Sequence, residues 1–205
     1  MEHTITLLRA AENKETFFRR ISALYPTRDE RYRAIAAAYE DAKDAFRGVE
    51  RESGERYFEH LRAVALIIID KLRVTDHEII IAALLHDIVE DNEHWTFDRV
   101  EHSYGPRVTT LLEWITKPPK AEFGGDKEAR DRWYHDRFDR APRDFFLIKL
   151  PDRLHNLWTL DACPAEKRVL KLRETEQYYI PQAIRQILLI DELEHAVAKI
   201  KSANP

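Results

Sequence analysis

"TDHEIIIAALLHDIVED", residues 75–91, is the stretch on which the reading of this chain turns. Thr75-Asp-His-Glu78 has the spacing of a capping box, in which a hydroxyl at a helix start and an acid three residues on satisfy free backbone N–H groups. An apolar run follows from Ile79 to Leu85. The spacing therefore predicts a helix that starts just ahead of Ile79 and carries His86-Asp87 at its C-terminal end. On one continuous helix, side chains four apart share a face, which sets His86 over Glu90 and Asp87 over Asp91. Adjacent residues diverge by about 100°, so the two pairs form neighbouring rows along one edge. Three carboxylates this close repel one another, and the helix dipole disfavours acids at a C-terminus. Two readings stand: the acids are solvated at an exposed helix end, or a divalent cation compensates them. Imidazole with carboxylate suits manganese, iron or zinc, whereas calcium and magnesium favour oxygen alone.

The rest of the chain carries the same periodicity. Apolar residues recur at three- and four-residue spacing with charges between them, and β-alternation is nowhere sustained, so the expected class is all-α. Breaks are expected at Pro26, between Gly48 and Gly54, at Gly105-Pro106, across the loop 117–126 (KPPKAEFGGD), at Pro142 and at Pro164. The 205 residues suffice for one domain with small extensions. The expected arrangement is an N-terminal helical extension over 1–45, a central domain over 46–185 and a C-terminal helix over 186–205. In the extension, "ERYRAIAAAYEDAKDAF" (30–46) is an amphipathic helix expected to pack on the core. "QAIRQILLIDELEHAVAKIKSA" (182–203) reads as one helix whose wide apolar stripe faces either the core or a homo-oligomer contact.

Composition narrows the function. A net charge of −4 with 34% charged residues gives no basic character for nucleic acid. With 5 glycines there is no Gly-rich phosphate loop. The single cysteine, Cys163, excludes an internal disulfide framework and fits a reducing compartment. The longest apolar runs, 63–69 and 79–85, are too short to span a bilayer, and the N-terminus lacks a signal peptide's basic start and long apolar stretch. A soluble, cytoplasmic protein without membrane or nucleic-acid partners is expected.

Two further segments bear on the cation. In "RESGERYFEHLRAVALIIID" (51–70), His60 lies on a predicted helix just ahead of an apolar stretch; in "LIKLPDRLHNLWTLD" (147–161), Asp152 and Asn156 are four apart. Singly, each has an ordinary reading: His60 as a partly buried residue beside Leu61, Asp152 as a salt-bridge partner of Lys149 or Arg153. Together, His60, His86, Asp87 and Asp152 on three helices make a mixed nitrogen and oxygen metal site. A divalent metal eases the loss of a proton from water, Glu90 or Asp91 can accept that proton, and Lys149 or Arg153 would offset charge on phosphoryl oxygens. The residues alone thus lead to a metal-dependent hydrolase. His77, His94, His102, His135 and His195 have no partner pattern and are expected at the surface.

The pattern His…His-Asp…Asp resembles the HD-domain metal-dependent phosphohydrolases. "R-x-S-G-E-x-Y-x-x-H" (51–60), "ALLHDxVED" (83–91) and "KLxDRLHNL" (149–157) are similar to the hydrolase half of the RelA/SpoT alarmone enzymes, as are "YGPRVTTLLEWITK" (104–117) and "RETEQYYIPQA" (173–183). The resemblance runs from about residue 45 to about residue 185. It implies a helical bundle with a metal site between helices, usually for Mn²⁺. It also implies a small-molecule nucleotide substrate: the 3′-pyrophosphate is removed from (p)ppGpp, the alarmone of the stringent response, releasing pyrophosphate and GDP or GTP. His60, His86, Asp87 and Asp152 match the family's metal ligands, and Glu90 and Asp91 its acidic pair that assists attack by water. Arg51 and Ser53 fall in the segment facing the nucleotide. Asn156, Thr159 and Tyr179 match positions near the nucleoside or its phosphates, with Lys149 a further candidate for the phosphates. No matching synthetase sequence follows, so a small hydrolase-only member is expected.

Three departures bear on substrate choice. Glu52 stands where the family often has lysine, Arg56 where proline is common, and Pro151 where alanine is usual. Proline lacks a backbone donor and favours a first turn, so a kink or a fresh helix start is expected at 151. The alternatives are an HD phosphohydrolase acting on another nucleotide or small phosphorylated metabolite, and a non-catalytic nucleotide-binding module.

Overall fold

The computed structural model describes residues 12–203; the beginning of the expected N-terminal extension and the last two residues lie outside that range. Among the described residues the chain is helical, with one isolated bridge between Glu50 and Arg56. The α-helices are α1 (Lys14–Leu24), α2 (Glu30–Ala45), α3 (Tyr57–Asp70), α4 (His77–Leu84), α5 (Ile88–Asp91), α6 (Phe97–Tyr104), α7 (Pro106–Ile115), α8 (Lys127–Asp136), α9 (Arg143–Trp158), α10 (Ala165–Glu174), α11 (Ile180–Gln186) and α12 (Ile190–Ala203). Among them, no helix is long and apolar enough to cross a membrane.

The centre of the bundle is α3, which buries every side chain from His60 to Ile69 and packs on α4 and α9. Residues buried all round do not need the amphipathic stripe of a surface helix, and each fully buried Leu or Ile contributes about 1.5–3 kcal/mol relative to exposure. One hydrophobic core runs from Phe17 in α1 to Ile200 in α12, so the N- and C-terminal helices share it with the central ones. Arg20 reinforces the first of these joints, donating to both oxygens of Asp70 at 2.9 and 2.8 Å.

The start of α4 is capped one residue later than the sequence suggests: the Asp76 carboxylate accepts from the N–H groups of Glu78 and Ile79. Arg107 of α7 then donates to Asp76, Glu78 and Asp144 at 2.7–3.0 Å, tying α4, α7 and the first turn of α9 together.

Four local expectations are corrected. α4 does not continue through the HD pair; it ends at Leu84, and Leu85 and Asp87 take bridge-region angles (φ −105°, ψ 5° and 0°) before the single turn of α5. Pro151 starts no new helix but lies inside α9, where packing on α3 and α4 holds the helix through the missing donor. The tail is two helices, broken where Ile187 and Leu189 adopt left-handed backbone (φ 57° and 52°). His135 is not a surface residue: it is buried and stacked on Tyr178 with ring centroids 4.0 Å apart. The 117–126 loop contains a 3₁₀ turn, Lys120–Phe123.

Candidate metal centre

The break after α4 builds the centre. His86 Nδ1 lies 2.7 Å from the Ala83 carbonyl, a helix-end acceptor left without an intrahelical donor. Nδ1 therefore carries the proton in the neutral ring and Nε2 presents its lone pair inward. The turn also brings the adjacent Asp87 back, with Oδ2 3.1 Å from His86 Nε2, a convergence that two successive positions of a regular helix would not give. His60, in the first turns of α3, is oriented by the same logic. Its Nδ1 lies 2.9 Å from Nδ1 of His155, which in turn lies 3.1 Å from Arg51 Nη1. Arginine only donates, so His155 Nδ1 is an acceptor, and the proton between the two imidazoles sits on His60. Nε2 of His60 is thus free to face the centre.

Asp152 completes the convergence from α9. Its Oδ1 is 3.3 Å from His60 Nε2 and 3.7 Å from His86 Nε2, and ligand atoms of His60, His86 and Asp152 all lie within 4.8 Å of one another. Asp87 Oδ2 is 3.9 Å from His60 Nε2 as well. Ligands bonded at about 2.1 Å to one ion are separated by about 3.0–3.4 Å, so these side chains fit a divalent cation after small adjustments. Two observations support that fit. Among the described residues, His86 Nε2 is buried with no hydrogen bond of acceptable geometry, despite its nearness to Asp87. The charge balance also calls for a cation: burial opposes protonation of His86, yet Asp87 and Asp152 outweigh it and lift the imidazole to about 10. His60, where burial dominates, is pushed down to about 4.

Around the ligands lies a ring of polar side chains. Burial would raise the Asp152 carboxyl, but Lys149 holds it well below the usual range, donating to Oδ2 at 2.7 Å. Asn156 donates to Asp152 Oδ1 at 2.6 Å and accepts from Arg51 Nη2 at 2.6 Å. Tyr57, its ring stacked on Phe46, places its hydroxyl 2.8 Å from Asp87 Oδ2 and 3.2 Å from Asp91 Oδ2. Burial, then the charges of Asp87 and Glu90, push the Asp91 carboxyl up to about 6. Glu90 accepts from Arg130 at 2.7 Å and from the Lys117 N–H at 3.1 Å.

The remaining candidates are spread more widely. Arg51 and Ser53 share a tight turn closed by Arg51 N–H to Glu55 O at 2.8 Å, with Gly54 at φ 75° supplying the left-handed residue it needs. Ser53 is exposed on this turn, while Glu52 points away to Lys167 Nζ at 2.6 Å and Cys163 Sγ at 3.0 Å. Thr159 caps the end of α9 through the His155 carbonyl at 3.2 Å. Tyr179 is 1% exposed and packs beneath the Arg153 guanidinium at 3.9 Å, a core ring that holds Arg153 rather than an open contact surface. Three side chains of the centre are given no role in the sequence reading: Tyr57 and His155, which stand inside quoted motifs, and Arg130. The first two lie three residues from His60 and Asp152 on the same helical faces, a spacing that could have found them. Arg130 has no local signal.

A family model of the HD domain matches residues 38–187. The bifunctional (p)ppGpp synthase/hydrolase SpoT of Escherichia coli K12 is 38% identical over 160 residues, 77% of this chain and 22% of the relative. The guanosine-3′,5′-bis(diphosphate) 3′-pyrophosphohydrolase of Aquifex aeolicus is 38% identical over 151 residues, 74% of this chain and 21% of the relative. The chain thus spans roughly a fifth of the length of these curated relatives. Among solved structures, a metazoan ortholog of SpoT that hydrolyses ppGpp has a TM-score of 0.72 at 24% identity, covering 81% of this chain and 94% of that one, which shows a shared fold.

Proposed function

This chain belongs to the HD domain family, and from that premise we propose that it is a metal-dependent phosphohydrolase that removes the 3′-pyrophosphate of (p)ppGpp, with Mn²⁺ as its cation. The observation that carries the reading is the convergence of His60, His86, Asp87 and Asp152, two imidazoles with Nε2 turned inward between two carboxylates. The relatives named as (p)ppGpp hydrolases, 38% identical across most of this chain, direct the choice of substrate. The single cysteine fits a cytoplasmic setting.

A divalent cation held there supplies Lewis acidity, making water a better nucleophile near neutral pH and drawing charge from phosphoryl oxygens. The chain does the rest. Glu90 and Asp91 take the proton from the attacking water as its oxygen bonds to phosphorus; the bond from that phosphorus to the ribose O3′ breaks, and the ribose oxygen gains a proton. Tyr57 fixes Asp87 and Asp91 relative to one another through its hydroxyl. Lys149 is committed to Asp152, so its role is to hold that ligand and keep it ionised. Arg51 orients His155 and Asn156 and presents the adjoining turn, with Ser53, to the nucleotide. Thr159 and Tyr179 support this wall from the end of α9 and from beneath Arg153.

The test is ³¹P NMR of Mn²⁺-loaded protein incubated with ppGpp, beside a chelated control. Pyrophosphate and GDP appearing only in the loaded sample is the expected result. Orthophosphate instead would reject the bond assigned, and no turnover with metal bound would reject the substrate. Glu52 favours one second reading, an HD phosphohydrolase for a different phosphorylated nucleotide: an acid stands beside Arg51 and ties up Lys167. A substrate panel separates the two.

A further inference from the structure

Arg130 lies on α8, forty positions from the acidic pair in sequence, and is 9% exposed. Its Nη2 donates to Glu90 Oε1 at 2.7 Å, and its Nε to the Pro118 carbonyl at 2.7 Å. The backbone N–H of Lys117 donates to Glu90 Oε2 at 3.1 Å. Both oxygens of one carboxylate are therefore held by donors from the 117–130 segment, and the arginine that holds one of them also anchors that segment's backbone. Among the described residues, Asp91, the other acid, has one side-chain partner, the Tyr57 hydroxyl at 3.2 Å, which it shares with Asp87. A cavity of ≈ 500 Å³ opens against this tie, with Glu90, Lys117, Arg130 and Trp133 in its wall, within the roughly 300–1,000 Å³ of small-ligand sites. Solvent on that side would leave an untethered glutamate free to turn away from α5.

We infer that Arg130 is a positioning residue for the hydrolysis: it fixes the Glu90 carboxylate relative to the metal centre. The inference rests on the reading of Glu90 as a proton acceptor. A carboxylate oxygen accepts two hydrogen bonds, so each Glu90 oxygen keeps one lone pair after Arg130 and Lys117 have taken theirs. Glu90 thus remains able to accept a proton while its side-chain torsions are set. Guanidinium suits this task because one planar group serves two acceptors at once, here a carboxylate and a carbonyl, in a way that a point-charge ammonium cannot.

The experiment is a double-mutant cycle on the Mn²⁺-loaded full chain with ppGpp, using Glu90→Gln, Arg130→Gln, Arg130→Lys and the Glu90→Gln/Arg130→Gln double variant. Arg130→Gln is expected to lower kcat about 10–100-fold, as loss of a supporting partner does elsewhere, with KM within about twofold and calorimetric Mn²⁺ affinity unchanged. Arg130→Lys should recover part of the loss. In the Glu90→Gln background, Arg130→Gln should change kcat by less than about twofold, because residues acting through one another are not additive. Full loss in that background, or a rise in KM with kcat unchanged, overturns the inference. Glu90→Gln with wild-type turnover removes the proton-acceptor reading itself, and the inference with it. A defective Glu90→Gln beside a fully active Arg130→Gln removes only the inference. If Arg130→Gln unfolds, Arg130→Lys carries the test; unfolding of both places Arg130 in the scaffold and overturns the role.

Discussion

Asp152 and Arg153 are neighbours on α9, both about 5–6% exposed, yet their charges are handled in opposite ways. Arg153 faces Glu174 at 3.1 Å and covers the Tyr179 ring, and Lys171 meets the same glutamate at 2.9 Å. Every charge there has a partner in the chain. Asp152 has Lys149 on one oxygen, but its other oxygen faces His60 and His86, beside a second carboxylate and an imidazole nitrogen without a well-formed hydrogen bond among the described residues. Buried charge that closes on itself is scaffold. Buried charge that leaves lone pairs converging is a site, because such an arrangement is unfavourable until a ligand completes it. The contrast is more informative than burial, which is nearly the same for both residues, or than the bare presence of a charge.

That contrast can be broken by exchanging the behaviour of the two sides. On the open side, Asp87→Asn keeps the shape and removes a ligand charge; turnover of ppGpp should fall about 10³-fold or more, equivalent to about 4 kcal/mol of transition-state stabilisation, in a steady-state assay with Mn²⁺. On the closed side, Glu174→Gln leaves Arg153 and Lys171 without their counter-charge and should lose about 3 kcal/mol of stability in urea unfolding, with Mn²⁺ affinity retained. Burial would raise the Glu174 carboxyl, but Lys171 and Arg153 hold it at about 2, below its usual 4.5. Its stabilising effect is therefore complete above pH 4.5 and disappears as the pH falls from there toward 2, so unfolding curves should show a slope in that window that Glu174→Gln removes. A smaller effect sharpens the distinction: Mn²⁺ at a hundred times its dissociation constant should add about 2.7 kcal/mol to the wild type and little to Asp87→Asn. Least of all, Lys167→Ala breaks the exposed pair with Glu52, and its stability change should stay within about 0.2–1 kcal/mol.

How much of this was legible beforehand depends on the range of the forces involved. The all-α class, the helix read over 30–46 and found over Glu30–Ala45, and a helix start just ahead of Ile79 are written in periodicity and capping, which are local. The four residues that converge from α3, the HD turn and α9 could be picked out by residue type. The continuous helix read through His86 and Asp87 stacks them over Glu90 and Asp91, whereas the actual geometry depends on the break at Leu85–Asp87. At that break His86 bonds a carbonyl three residues back, an event that periodicity averages away. The second break, at Ile187–Leu189, was missed for the opposite reason: the residues there are apolar and keep the helical pattern while the backbone leaves it. His135 has no partner pattern in the sequence and reads as a surface residue; in the fold it stacks on Tyr178, and burial pushes its imidazole down to about 4. Arg130 meets Glu90 only through tertiary structure, and nothing near either residue announces the pairing.

The break in the tail also bears on how this protein could change over time. Ile187 is 80% exposed and holds a β-branched side chain in the left-handed region, where an L-residue sacrifices about 1–2 kcal/mol and glycine almost nothing. So exposed a side chain offers little burial in return. The chain therefore carries untapped thermal headroom at one position remote from the metal centre. A lineage that drifts to glycine there gains tolerance for destabilising changes elsewhere, including those that would retune the turn bearing Arg51, Glu52 and Ser53.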